Sequence, residues 1–188
     1  MHGTAKFVIG CWVGIIAVWI VAAFSVKRTR ARQPFVHRVL YLALTVVTGV
    51  LLIRGSARTI PWNRSLLPHT LGTGILADVL VAAGLLIAIW ARLTLGGNWS
   101  ARVTLKENHE LIQRGPYRVV RHPIYSGILV MILGTAILVG QVSGFVALLL
   151  CCFGFCVKAR QEEKLLTRHL PGYAEYRSRT KALVPFIW

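Results

Sequence analysis

Apolar residues fall into five runs separated by short polar stretches. They cover about Val8 to Phe24, Val39 to Ile53, Leu71 to Ala91, Ile124 to Val139 and Val142 to Val157. A bilayer-crossing helix needs about 20 apolar residues. The third run is comfortable; the second, fourth and fifth are short. Five membrane helices are expected, the short ones lengthened by flanking polar residues or met by a thinner bilayer. Val21-Ala22-Ala23 would pass as a leader-cleavage site. The first run is long for a leader, however, and the basic segment Lys27 to Arg38 follows at once, so a retained helix is expected.

Runs four and five are joined only by Gly140-Gln141, which makes them antiparallel neighbours in a helical hairpin. Its open ends then meet. One is Gly115 to Tyr125; the other is Lys158-Ala159-Arg160-Gln161-Glu162-Glu163. Beyond, Arg160 to Tyr176 reads as an amphipathic helix broken near Pro171-Gly172, with Leu165, Leu166, His169 and Leu170 on one side. The aromatic tail Leu183 to Trp188 is expected to tuck against the domain or sit in the interface. The fold class expected is an all-α integral membrane protein. One domain is expected over 1–188, with two N-terminal helices in 1–70 and a core in 71–188.

Composition narrows the class. The chain is 55% hydrophobic, and its formal net charge of +16 comes from clusters flanking the apolar runs rather than from one stripe. That pattern fits anionic-lipid contacts and excludes a nucleic-acid partner. The four cysteines, Cys11, Cys151, Cys152 and Cys156, lie in apolar runs with no CxxC pair, so neither a metal site nor a disulfide framework is expected. With five crossings, one side carries eighteen of the Lys and Arg residues and the other four. The positive-inside bias puts the N-terminus outside and Gly115–Tyr125 at the cytoplasmic face.

Chemistry concentrates in Gly115-Pro116-Tyr117-Arg118-Val119-Val120-Arg121-His122-Pro123-Ile124-Tyr125-Ser126-Gly127. Pro123 suits the first turn of a helix. Free N–H groups there can hold an anionic or polar ligand group, with His122 and Tyr125 at the entrance. The adjacent Glu162 and Glu163, two of only six acidic residues, are placed to pair with Arg118, Arg121 or Arg160, or to bind a cationic or hydroxyl-bearing cofactor. Asp78, inside run three, is expected to pair with Arg54, Arg58 or Arg64. Gly72-Thr73-Gly74-Ile75-Leu76-Ala77 has dinucleotide-loop letters but no preceding strand; close helix packing explains it.

Several segments follow one another in a familiar order. They are Leu95-Gly96-Gly97-Asn98-Trp99-Ser100, His109-Glu110-Leu111-Ile112, Gly115-Pro116-Tyr117 and Arg121-His122-Pro123-Ile124-Tyr125-Ser126-Gly127, then Glu162-Glu163, Gly172-Tyr173, Tyr176 and Pro185-Phe186-Ile187. From about Leu93 to Trp188 the chain resembles the isoprenylcysteine carboxyl methyltransferase family, within the wider membrane phospholipid and isoprenylcysteine methyltransferase group. The resemblance implies a membrane methyltransferase using S-adenosylmethionine, bound between the loop before the hairpin, the hairpin's start and the segment after it. By matching motif, His109, Glu110, Leu111 and Ile112 would line the adenosine side and Tyr117 would close over it. His122, Pro123, Ile124 and Tyr125 would hold the cofactor at the helix start, with Glu163, Glu162 and Arg102 on its polar groups. Arg160, Glu162 and His122 are the residues expected nearest the reaction.

The implied acceptor is a carboxylate on a lipidated or apolar molecule reached from the bilayer. A carboxylate is already ionised at neutral pH; an amine would need a base, for which His122 is placed. Phospholipid amine N-methylation is therefore an alternative. An NADPH-dependent sterol-reductase type is opposed by Ile124 and Ile128, where those enzymes tend to have Asn and Asp. A non-catalytic membrane scaffold predicts no cofactor affinity.

Overall fold

A computed structural model describes residues 2–24, 29–32, 35–54, 63–98, 104–106 and 111–184. Each apolar run forms a helix: α1 (His2–Ala23), α2 (Phe35–Arg54), α3 (Leu71–Leu95), α4 (Pro123–Val139) and α5 (Val142–His169), followed by the short α6 (Tyr173–Arg179). Three of these, α1, α3 and α5, are long and apolar enough to cross a membrane, and Val39–Ile53 of α2 and all of α4 form shorter apolar helices. The chain is thus a largely helical integral membrane protein. One feature departs from the all-α expectation. Strand β1 (Thr29–Arg32) pairs antiparallel with β2 (Thr104–Lys106), joining the segment after α1 to the one after α3.

Among the described residues, the α3–α4 pair is the most extensive contact between elements. Lipid tails are as apolar as leucine, so helices in a bilayer gain little from hiding apolar side chains, and close backbone packing takes over. A Cβ on Gly127 would lie 2.7 Å from the Gly84 carbonyl oxygen, and one on Gly134 would lie 2.8 Å from that of Ala77. Ala77, Val81, Ala88 and Met131 are fully buried along this seam. Helix α1 covers α3 with Val8, Cys11 and Ile15, and Trp12 Nε1 donates to Thr135 Oγ1 of α4 at 3.1 Å. The small-residue reading of 72–77 holds for Ala77 and for Gly74, whose added Cβ would touch Thr4 of α1; Gly72 meets only Thr70. Thr70 and Thr73 form a reciprocal capping box that starts α3.

Hairpin α4–α5 turns on Gly140, at φ +66°. A left-handed conformation of this kind favours glycine. The segment before α3 clasps the turn: Leu66 and Leu67 N–H donate to the Gly140 carbonyl at 2.8 and 3.0 Å, and Val142 N–H donates to that of Arg64. Asn63 completes the clasp, donating to Gln141 Oε1 and accepting from Ser143 N–H. At the hairpin's other end, the expected amphipathic helix is not separate. Helix α5 runs unbroken to His169, and the break comes at Pro171-Gly172, with Gly172 at φ +77°.

Two polar residues of α3, the half-buried Asp78 and the buried Arg92, differ from expectation. Asp78 forms no ion pair with Arg64, and its Oδ1 has no hydrogen bond among the described residues; the side chains of Arg54 and Arg58 lie outside them. Arg92, counted above with the flanking cations, is 2% exposed. Its guanidinium donates to the carbonyls of Ala22 and Gly96 at 2.6 and 2.9 Å. A cation there complements the negative C-terminal ends of α1 and α3 together.

Gly127→Ala is expected to destabilise the protein by about 1–3 kcal/mol, because its Cβ meets backbone that has no room to give. Gly14→Ala, whose Cβ meets nothing within 4 Å, should be neutral or stabilising. Thermal unfolding in detergent checks the pair; equal midpoints would remove the seam from its place in the fold.

Candidate active site

The polar seam folds as a chain of tight turns. Gly115, at φ +59°, lets the backbone pass Thr94 so closely that a Cβ would sit 3.1 Å from the Thr94 hydroxyl. Pro116 opens one turn of 3-10 helix, Gly115–Arg118, that buries Tyr117. Val120 then pairs with Lys181 in a parallel bridge. Arg121 and His122 N–H donate to the carbonyls of Lys181 and Ala182 at 2.8 and 3.0 Å. Ser126 Oγ donates to Leu183 O. Pro123, which has no N–H, begins α4. Residues 181–183, which lead into and begin the expected tail, thus tuck against the turn before α4, while 185–188 lie outside the described residues.

Three side chains converge on the Glu163 carboxylate. Arg121 Nε approaches Oε1 at 2.7 Å, His122 Nε2 the same oxygen at 3.2 Å, and Arg177 Nε approaches Oε2 at 3.1 Å. Arg121 Nη1 also donates to the carbonyls of Arg177 and Thr180, tying α6 to the site. His122 Nδ1 lies 3.5 Å from Glu162 Oε2, and Tyr125 Oη donates to Glu162 Oε1 at 2.6 Å. The rings of His122, Tyr125 and Phe155 stack in series, with centroids 5.3 and 4.7 Å apart. Lys158 Nζ stands 5.1 Å over the Tyr125 ring, a cation–π distance. Tyr41 of α2 donates to Gln161 Oε1 at 2.8 Å.

Electrostatics follow from this geometry. Burial alone would lower the His122 pKa, but the flanking Glu162 and Glu163 outweigh it and raise the pKa above the ordinary value. With a carboxylate facing each ring nitrogen, the site favours the charged form of His122. Burial, only partly offset by the Arg121 guanidinium, pushes Tyr176 up to about 12, and it raises Tyr117 and Tyr173 as well. These phenols stay neutral donors; Tyr176 Oη donates to Tyr117 O at 2.7 Å.

Of the residues singled out from sequence, His122, Tyr125, Glu162 and Glu163 form one connected cluster. Ile124 and Tyr117 join the apolar core beneath it, with Ile112 packed alongside. Leu111 reaches the break before α6, 3.7 Å from where a Gly172 Cβ would stand. Arg160 lines a cleft on the outer side of Glu163. Arg102, His109 and Glu110 lie outside the described residues. Of the three arginines proposed as partners for the glutamates, Arg121 carries the Glu163 pair. Sequence reasoning missed Phe155, Lys158 and Arg177. Phe155, Lys158 and Glu162 share one face of α5 at spacings of three and four, a signal that was available. Arg177 carried none, because α6 reaches the site only after the Pro171-Gly172 break.

Glu163→Gln should destabilise by about 3–5 kcal/mol, since it strands two buried cations. Glu175→Gln should lose less than about 0.5 kcal/mol, because that residue pairs only with exposed Arg179. Unfolding midpoints of the two variants decide this, and similar losses would count against a buried cluster. Because the pKa of His122 is raised, its charge stabilises the fold fully below about pH 6.5, and that stabilisation fades as pH climbs through the raised value. His122→Asn should flatten the fall in midpoint from about pH 6.5 upward; parallel profiles would contradict the assignment.

The family model for "Isoprenylcysteine carboxyl methyltransferase (ICMT) family" matches residues 76–168. The match starts earlier than the resemblance at Leu93 and stops short of the motifs from Gly172 on. A "Probable protein-S-isoprenylcysteine O-methyltransferase" of Oryza sativa subsp. japonica is 33% identical over 113 residues, covering 58% of this chain and 59% of its own length. The "Cobalt-zinc-cadmium resistance protein CzcN" of Cupriavidus metallidurans is 32% identical over 145 residues, covering 74% of this chain and 60% of its own length. A solved structure of a "eukaryotic intramembrane Ras methyltransferase ICMT" superposes with a TM-score of 0.56 at 22% identity, over 79% of this chain and 53% of that one. The matched portions thus span only about three-fifths of these relatives. Over residues 76–168 the chain is similar to the isoprenylcysteine carboxyl methyltransferase family, and it shares the fold of that solved structure.

Proposed function

We propose that the chain is an S-adenosylmethionine-dependent membrane methyltransferase acting on a carboxylate carried by a lipidated or apolar molecule. The observation that carries this reading is the pinning of Arg121-His122-Pro123 to Glu162-Glu163 within the family-matched segment. The cofactor would sit between the 109–112 loop, Tyr117, the start of α4 and the Glu162–Glu163 turn of α5. In this reading five helices cross the bilayer, with the N-terminus outside and the site facing the cytoplasm. Core 71–188 carries the chemistry, and α1 and α2 support it.

The donor set suits such a cofactor. It combines two carboxylates, a stack of three aromatic rings and the apolar side chains of Leu111, Ile112 and Ile124. These match a cationic, zwitterionic molecule with an aromatic base. When bound, S-adenosylmethionine supplies an electrophilic methyl group on a sulfonium. The protein's part is then to orient the partners and shape their field. Tyr125 and His122 hold Glu162 for the cofactor's polar groups. Arg160, exposed at the outer rim, is placed to steer an acceptor carboxylate.

Geometry also weighs on the acceptor. An amine acceptor calls for a base, and His122 makes a poor one: it is 7% exposed, and both of its ring nitrogens already face carboxylates that raise its pKa. A carboxylate needs none. This favours O-methylation over phospholipid N-methylation.

Calorimetric titration of the detergent-purified protein with S-adenosylhomocysteine should show binding, and NADPH should show none. Glu162→Gln should weaken that binding roughly tenfold while leaving the fold intact. Labelled methyl should pass to an S-farnesylated cysteine with a free carboxylate, and not to its amide or to an ethanolamine phospholipid. Absence of S-adenosylhomocysteine binding sinks the methyltransferase reading; transfer to the ethanolamine lipid alone would replace O- with N-methylation.

A further inference from the structure

On the outer side of the Glu163 cluster, and sharing Glu163 and Arg177 with it, a cleft of about 270 Å³ is lined by Arg160, Glu163, Lys164, Thr167, Arg168 and Arg177. Three of its cations, Arg160, Lys164 and Arg168, repeat every four residues along α5 and so stack on one face, one turn apart. The fourth, Arg177, comes from α6 and is held in place through Nε by Glu163. Glu163 is the one acid in the lining, and its charge is already shared with Arg121 and His122. The cleft is therefore strongly positive. Thr167 adds a neutral hydroxyl donor among the cations. The volume falls just under the range for drug-sized ligands, about 300–1,000 Å³, which suits a compact anionic group.

Position along α5 identifies the source of that anion. The apolar run ends at Val157. At about 1.5 Å of rise per residue, Arg160, Lys164 and Arg168 stand about 5, 11 and 17 Å further along the axis. The headgroup layer of one leaflet is about 5–8 Å thick. Arg160 stands inside it and Lys164 about 3 Å beyond it, within the span that such a long side chain covers in reaching back toward the interface. We infer that this cleft is a binding site for the phosphate of an anionic phospholipid headgroup. Guanidinium groups from two helices grip the phosphate oxygens, and the acyl chains lie along the apolar part of α5.

The test uses the full chain in detergent, with thermal stabilisation as readout and ionic strength matched throughout. Probes are dihexanoyl phosphatidic acid, dihexanoyl phosphatidylcholine and inorganic phosphate. Phosphatidic acid is expected to stabilise saturably, and the other two to do so much less. Each cation near a phosphate contributes about fivefold in affinity, so Lys164→Gln with Arg168→Gln should weaken phosphatidic acid binding by about thirtyfold. Both residues are exposed, so the unliganded midpoint should hold. Arg64→Gln, at the hairpin's far end, should change nothing. Equal stabilisation by phosphatidylcholine would overturn the site, and so would wild-type affinity in the double variant. Equal saturation by inorganic phosphate would overturn the lipid assignment. The readout needs no methyl-group cofactor, so it stands or falls independently of the proposed reaction.

Discussion

Glu163 is the residue on which the polar end of this molecule depends. Its carboxylate holds Arg121 from the turn before α4, His122 at the head of α4 and Arg177 from α6. Arg121 in turn carries the α6 backbone, and the peptide groups of residues 121 and 122 carry the tail. Segments far apart in sequence are thus fixed to one point on α5. A carboxylate buried to this degree must be satisfied by charge and hydrogen bonds or become neutral. This one is satisfied, and the surrounding chain has little freedom to leave it.

The cluster can form only because the helices beneath it are placed without ambiguity. Glycines at 84, 127 and 134 bring α3 and α4 into backbone contact, which sets where α4 begins. At the opposite end Asn63 and its neighbours clasp the Gly140 turn, which sets where α5 begins. With both ends of the hairpin fixed, His122 and Glu163 meet because of packing, and the polar contacts then lock what packing has brought together.

Much of this frame was legible in the sequence. Five apolar runs became five helices, Gly140-Gln141 became a tight antiparallel turn, and Pro171-Gly172 became a break. Each rests on a local rule: run length, link length, or the conformational needs of proline and glycine. What was not legible depended on distant partners. Arg118, Arg121 and Arg160 all lay within reach of the glutamates on paper; only the bridge between Val120 and Lys181 shows why Arg121 turns inward. Arg92 looked like a flanking cation and proved to be a buried cap for two helix ends. The β1–β2 pair joins two short polar segments with no periodicity to announce them. The continuity of α5 past Val157 was hidden by the change from apolar to charged residues, which alters the solvent and leaves the helix intact.

That continuity has a consequence for how charge is sorted. Past Val157 one helix presents two faces: Lys158 and Glu162 look toward Tyr41 and Tyr125, while Arg160, Lys164 and Arg168 look toward the cleft. Glu163 lies on the boundary and touches both. A carboxylate face suits a cationic cofactor; a basic face suits an anion at the membrane surface. Because a single rigid helix carries both, and because Glu163 fixes Arg177 beside the basic face while holding His122 beside the acidic one, the two faces cannot shift independently. Any anion seated in the cleft would strengthen the hold on Arg177, and through Glu163 that hold extends to the head of α4.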